Sequence, residues 1–154
     1  MKRDSRLSGV LHVLLHMAEA PGPVTSDAMA RAMQTNPVVI RRIMAGLRDA
    51  GFVHSEKGHG GGWTIARDLA AITLRDVYYA LGSPALFAMG NRTDAPGCLV
   101  EQAVNAALDG AYVDAETLLL ERFGSVTLAA LSADFHARMV ASGKSIDLET
   151  VHAA

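Results

Sequence analysis

The chain has 154 residues, a length that suits one domain or one compact domain carrying an extra arm. Half of the residues are hydrophobic, 19% are charged and 5% are aromatic, which excludes a disordered chain and favours a well-buried helical core. The net charge of −2 is unevenly spread: residues 1–67 hold nine Lys and Arg against five Asp and Glu, and residues 68–154 hold five against eleven. A basic front and an acidic back predict that one end meets a polyanion while the other does something else.

Leu7, Val10, Leu11, Leu14, Leu15 and Ala18 recur at three- and four-residue spacing and predict a first helix over about 5–19. His12 and His16 stand one turn apart on the side away from most of that stripe. Such a pair can hold a metal ion, but no further Cys or acid cluster completes a tetrahedron, so they read as surface histidines. Pro21-Gly22-Pro23 ends the helix. Thr25 or Ser26 caps a short second helix to about Met33, and Gln34-Thr35-Asn36 forms a tight turn. Asn36 is a good N-cap and Pro37 occupies the first helical position, where a missing N–H costs nothing. The third helix is expected over about 37–50, ended by Gly51.

The period then changes. Residues 52–55 and 63–66 read as short strands around Glu56-Lys57-Gly58-His59-Gly60-Gly61-Gly62, a hairpin tip with Trp63 anchoring it to the body. Thr73 caps a fourth helix over 74–81, and residues 82–97 read as a loop. Leu86, Phe87 and Met89 of that loop, beside Tyr78 and Tyr79, either line a small-molecule pocket or, more commonly for such residues, join the core. A long helix over about 98–120 carries Leu99, Val100, Val104, Ala107, Leu108, Ala111, Ala115, Leu118 and Leu119 on a broad stripe, with Gly110 as a point of bending. Ser125 or Thr127 starts a short last helix to about 134, and the tail from about 140 is expected to fray. The fold class is therefore mainly α with a small β-hairpin: a winged helix-turn-helix over 1–81, a connecting loop over 82–97, dimerisation helices over 98–135 and a C-terminal tail over 136–154.

The third helix decides the functional reading. On a wheel at 100° per residue, Val39, Ile40, Ile43, Leu47 and Ala50 make the core stripe, while Val38, Arg41, Ala45 and Arg48 lie opposite with Arg42 on the flank. An exposed face that is basic and otherwise small can lie close in a major groove while guanidinium groups reach phosphates or guanine edges. The tip adds Lys57, His59 and Gly60, where glycines let the backbone lie against another surface. The predicted contacts with double-stranded DNA are thus Thr35, Asn36, Val38, Arg41, Arg42, Ala45, Arg48, Lys57, His59 and Gly60. No Gly-Lys-Ser/Thr marks a phosphate-binding loop, and no nucleophile–base set or paired-carboxylate motif emerges, so an enzyme is not expected. The alternative is a protein-interaction module on a winged-helix scaffold, but it gives no reason for concentrating positive charge on that face.

Asn36-Pro37-Val38-Val39-Ile40-Arg41-Arg42-Ile43, Leu47-Arg48-Asp49-Ala50-Gly51-Phe52-Val53, Lys57-Gly58-His59-Gly60-Gly61-Gly62-Trp63 and Ile72-Thr73-Leu74-Arg75-Asp76-Val77-Tyr78 resemble the Rrf2 family of bacterial transcription regulators. The resemblance covers about residues 5–135, specifically in the third helix and wing and only generically beyond. It implies a homodimeric winged-helix DNA binder, usually a repressor, dimerising through the long helix. Cluster-binding relatives carry three cysteines in the region corresponding to about 88–105. Here Cys98 stands alone, so no iron–sulfur cofactor is expected and the effector is left open.

Cys98 excludes an internal disulfide. Its place after Pro96-Gly97 at a helix start suits a redox-sensing thiolate, with Arg92 as a source of positive charge; the commoner role of a free cysteine is a small buried hydrophobe. A roughly 23-residue helix spans about 34 Å, more than so small a domain can cover, which predicts a homodimer with two recognition helices about one DNA turn apart. No apolar run approaches the ~18 residues of a membrane span and no signal peptide is recognisable, so the expected compartment is the cytoplasm.

Overall fold

The computed structural model describes residues 4–143. Helix α1 runs Arg6–Glu19, α2 Ser26–Ala32 and α3 Pro37–Asp49. Strands β1 (Val53–Glu56) and β2 (Gly62–Ile65) pair antiparallel, with Val53 opposite Ile65 and Glu56 opposite Gly62. A 3₁₀ turn at Leu69–Ala71 leads into α4 (Leu74–Ala80), and α5 (Leu99–Gly124) and α6 (Leu128–Ser142) complete the chain.

Local chemistry sets most of these boundaries. The Thr25 hydroxyl accepts from the Ala28 N–H to start α2, and Asn36 Oδ1 accepts from the Val38 N–H at 2.8 Å to start α3. Gly51 ends α3 at φ +80°, a backbone conformation that a Cβ disfavours. Thr73 and Asp76 form a reciprocal capping box on α4.

The core gathers Val10, Val13, Leu14 and Met17 of α1, Met29 of α2, and Ile40, Met44 and Leu47 of α3 around Phe52, Val53 and Trp63. Ile72, Val77 and Leu128 close it from the other side. Two periodicity assignments are corrected here. On α3 the inward stripe is Ile40, Met44 and Leu47, whereas Val39 and Ala50, placed in the core by the wheel, are exposed near the helix ends. On α1, Val13 and Met17 are buried and complete the inward face. A helix end projects past its neighbours, so positional angle alone does not decide burial there.

The C-terminal half differs more. The helix expected to end near 120 continues through Gly110 to Gly124, and none of its residues is buried. The last helix, expected to stop near 134, runs on to Ser142 and ends in the left-handed Gly143, so residues 136–142 of the expected tail are helical. It packs on α1 and on the 3₁₀ turn, and Met139 is buried. The remainder of the expected tail, 144–154, lies outside the described residues. Of the residues expected in a pocket or core around the 82–97 loop, Tyr78 is buried and Leu86 half-buried, whereas Tyr79, Phe87 and Met89 are exposed in the single chain. No described helix is long and apolar enough to cross a membrane.

Candidate nucleic-acid interface

Helices α2 and α3 pack together across the turn at Gln34–Thr35, where Gln34 takes φ +52° and the Thr35 N–H donates to the Ala30 carbonyl. That turn fixes the angle at which α3 leaves the body. With Ile40, Met44 and Leu47 buried, the opposite face presents Val38, Arg41, Arg42 and Arg48, all exposed, around the partly covered Ala45. Asn36 is exposed at the helix start and Thr35 is half-buried behind it.

The guanidinium groups are accessible. Arg41 and Arg42 make no ion pair with any described residue. Arg48 lies 3.3 Å from Asp49, with both side chains more than half exposed. A surface pair of that kind is worth at most about 1 kcal/mol and gives way to a phosphate.

Helix α3 also crosses α4 closely. A Cβ on Gly46 would sit 2.7 Å from the Ala80 carbonyl oxygen, so the crossing is backbone against side-chain-free backbone. Arg67 lies with its guanidinium 5.5 Å from the Phe52 ring centre, covering the junction between α3 and the wing.

The wing is secured at its base. Trp63 is buried, its indole N–H donates to the Ser26 hydroxyl at 3.0 Å, and its backbone exchanges hydrogen bonds with Val24. Gly62 makes this possible: at φ +152° it lies against Val24, and a Cβ there would come within 2.7 Å of the Val24 carbonyl. Trp63 therefore anchors the hairpin, as its place in the sequence predicts, though its partner Ser26, 37 residues away, carries no sequence signal. Strand β1 packs on α3. Lys57, His59 and Gly60 are exposed at the tip, which a Gly61 N–H to Gly58 carbonyl bond closes.

Cys98 belongs to another element. It is exposed and occupies the N-cap of α5, so it is not the buried hydrophobe that a free cysteine more often is. The N–H groups of Glu101 and Val100 face the thiol and hold its pKa below the usual thiol range, although no full capping hydrogen bond closes. Arg92 donates to Glu101 at 3.0 Å, so its charge is spent on a carboxylate.

His12 and His16 stack with ring centres 4.6 Å apart and line a cavity of about 150 Å³ with Leu15, Glu19 and Phe135. His16 is half-buried there because α6 covers this end of α1, where His136 pairs with Glu19 at 3.1 Å.

A short helix, a tight turn, an arginine-bearing helix and a hairpin wing define a winged helix-turn-helix protein. The chain belongs to the Rrf2 family, described as iron-dependent transcriptional regulators, whose profile matches residues 3–134. Two Bacillus subtilis proteins named as HTH-type transcriptional regulators are similar. YwgB is 35% identical over 83 residues, 53% of each chain, so this match spans about half the length of that relative. YwnA is 29% identical over 126 residues, 81% of this chain and 92% of that one. Among solved structures, a transcriptional regulator from Lactobacillus plantarum shares the fold at a TM-score of 0.71 and 24% identity, covering 88% of this chain and 92% of its own. These findings make the chain a DNA-binding transcription regulator, not an enzyme.

The iron in the family description is not matched by donors here. Among the described residues no group of three or more His, Cys, Asp or Glu could hold a metal ion, and the one thiol, Cys98, stands exposed. A cluster needs about four ligands, mostly thiolates. The donor set does not fit one.

Proposed function

We propose that the chain is a homodimeric, sequence-specific DNA-binding repressor of the cytoplasm that works without an iron–sulfur cluster. The observation that carries this reading is the outward face of α3, with Arg41, Arg42 and Arg48 accessible around Ala45 and the anchored wing alongside. Thr35 and Asn36 at the turn and Lys57, His59 and Gly60 at the tip would take the flanking phosphates. Repression follows the usual behaviour of the family that the third helix and wing resemble.

The dimer would form through α5. Val104, Leu108, Ala111, Ala115 and Leu118 are spaced 4-3-4-3, a coiled-coil seam, and all five are exposed in the single chain. Within the broad apolar stripe of the helix, this heptad spacing is the sharper signal. The exposed Cys98 thiol, with its lowered pKa, suits a redox response and supports thiol sensing as the input.

The deciding experiment is a binding titration of the Arg41→Ala/Arg48→Ala variant on DNA that the wild type selects. Loss of two guanidinium contacts should weaken binding by a factor of about 100 or more, with circular dichroism and oligomeric mass unchanged. The salt dependence should flatten as well, because fewer counterions are released. Undiminished binding would remove these contacts and leave the interaction-module reading.

A further inference from the structure

We infer that Val38 is a base-reading residue that recognises the C5 methyl group of a thymine in each half-site. This rests on the DNA-binding reading of α3 above and adds to it the chemistry of one contact.

Val38 is 56% exposed at the first turn of α3, pointing away from Ile40, Met44 and Leu47. A recognition helix enters the major groove with its N-terminal residues toward the base edges. The groups at that tip are therefore those that meet the bases. Its backbone offers them no donor. Pro37 has no N–H, the Val38 N–H is held by Asn36 Oδ1 at 2.8 Å, and the Val39 and Ile40 N–H groups are taken by the Asn36 carbonyl. A helix start satisfied in this way is not poised to grip a phosphate through its amides. What it displays is a branched apolar side chain, stiff at χ1, flanked by Arg41 and Arg42 one turn on.

In the major groove only thymine offers an apolar group, its C5 methyl, and side-chain methyls read it by contact. The flanking guanidinium groups supply attraction to the duplex, and the valine supplies discrimination at one position. An exposed valine on a protein surface is otherwise unremarkable, and the neighbouring Val39, also exposed, lies on the Ile43 side of the helix. Its place at the tip of the arginine-bearing helix gives it a task.

The test uses the full chain and operators selected by it from random duplexes. Each thymine is replaced in turn by deoxyuridine, which lacks only the methyl. For the wild type, removing the critical methyl from one half-site should weaken binding about fourfold, the factor expected for one buried methyl, and removing it from both about sixteenfold. Val38→Ala, which changes both subunits, should bind the thymine operator about sixteenfold more weakly and be indifferent to those same replacements. Val38→Thr, which keeps one methyl and the side-chain shape, should retain part of the discrimination. The inference is overturned if no thymine methyl matters to the wild type, or if Val38→Ala keeps the full deoxyuridine penalty. Failure to bind duplex DNA of any sequence would instead remove the regulator reading, and this inference with it.

Discussion

Arg48 and Asp49 illustrate how little a surface ion pair commits a side chain. At 3.3 Å and half exposed, the pair holds the guanidinium loosely, whereas Arg41 and Arg42 have no such partner among the described residues. All three remain available to a polyanion. Cys98 is governed by a different local field, the amides of Val100 and Glu101 at the start of α5. They stabilise the thiolate, so the folded pKa lies below the ordinary value and more thiolate is present near neutral pH. The alkylation rate of the folded chain, followed against pH with iodoacetamide, should therefore rise at lower pH than that of the urea-unfolded chain. Coincident profiles would show that those amides do not act on the sulfur.

Among the elements, the wing depends most on one residue. Trp63→Phe keeps the ring packing but deletes the indole N–H that the Ser26 hydroxyl accepts, which should cost about 1 kcal/mol of stability in urea unfolding. Trp63→Ala empties a buried site and should cost about 3 kcal/mol or more. The helix order, the Asn36 and Thr73 caps, the Gly51 stop and the glycine tip were all legible in the sequence, because each is a local event decided within a few residues. The outward arginines of α3 were legible for the same reason. What was not legible depended on contacts distant in sequence: the Ser26 partner of Trp63, the burial of Met44 against the body, the exposure of Val39 and the length of α6. The last helix gains residues 136–142 because Met139 is buried and His136 meets Glu19, neither of which periodicity near the terminus reveals.

For the molecule as a whole, α5 is the element that the single chain leaves uncovered. Its 26 residues extend about 39 Å without one buried side chain. Leu108→Glu places a carboxylate in the middle of the proposed seam, where pairing would strip it of water. Sedimentation should then shift from twice the chain mass toward the chain mass at micromolar concentration, while helicity is kept. An unchanged mass would move the dimer contact off this seam. The far end of the chain has a separate role, since Leu128 is fully buried in the same core as Val10 and Ile40, and its N–H donates to the Ile72 carbonyl. The proposed DNA-binding head is thus sealed by a residue that leaves the ribosome more than a hundred positions after the first helix. A nascent chain halted before α6 would carry the arginine face on an unfinished core, and cutting the gene after the wing would not yield a self-sufficient DNA-reading fragment.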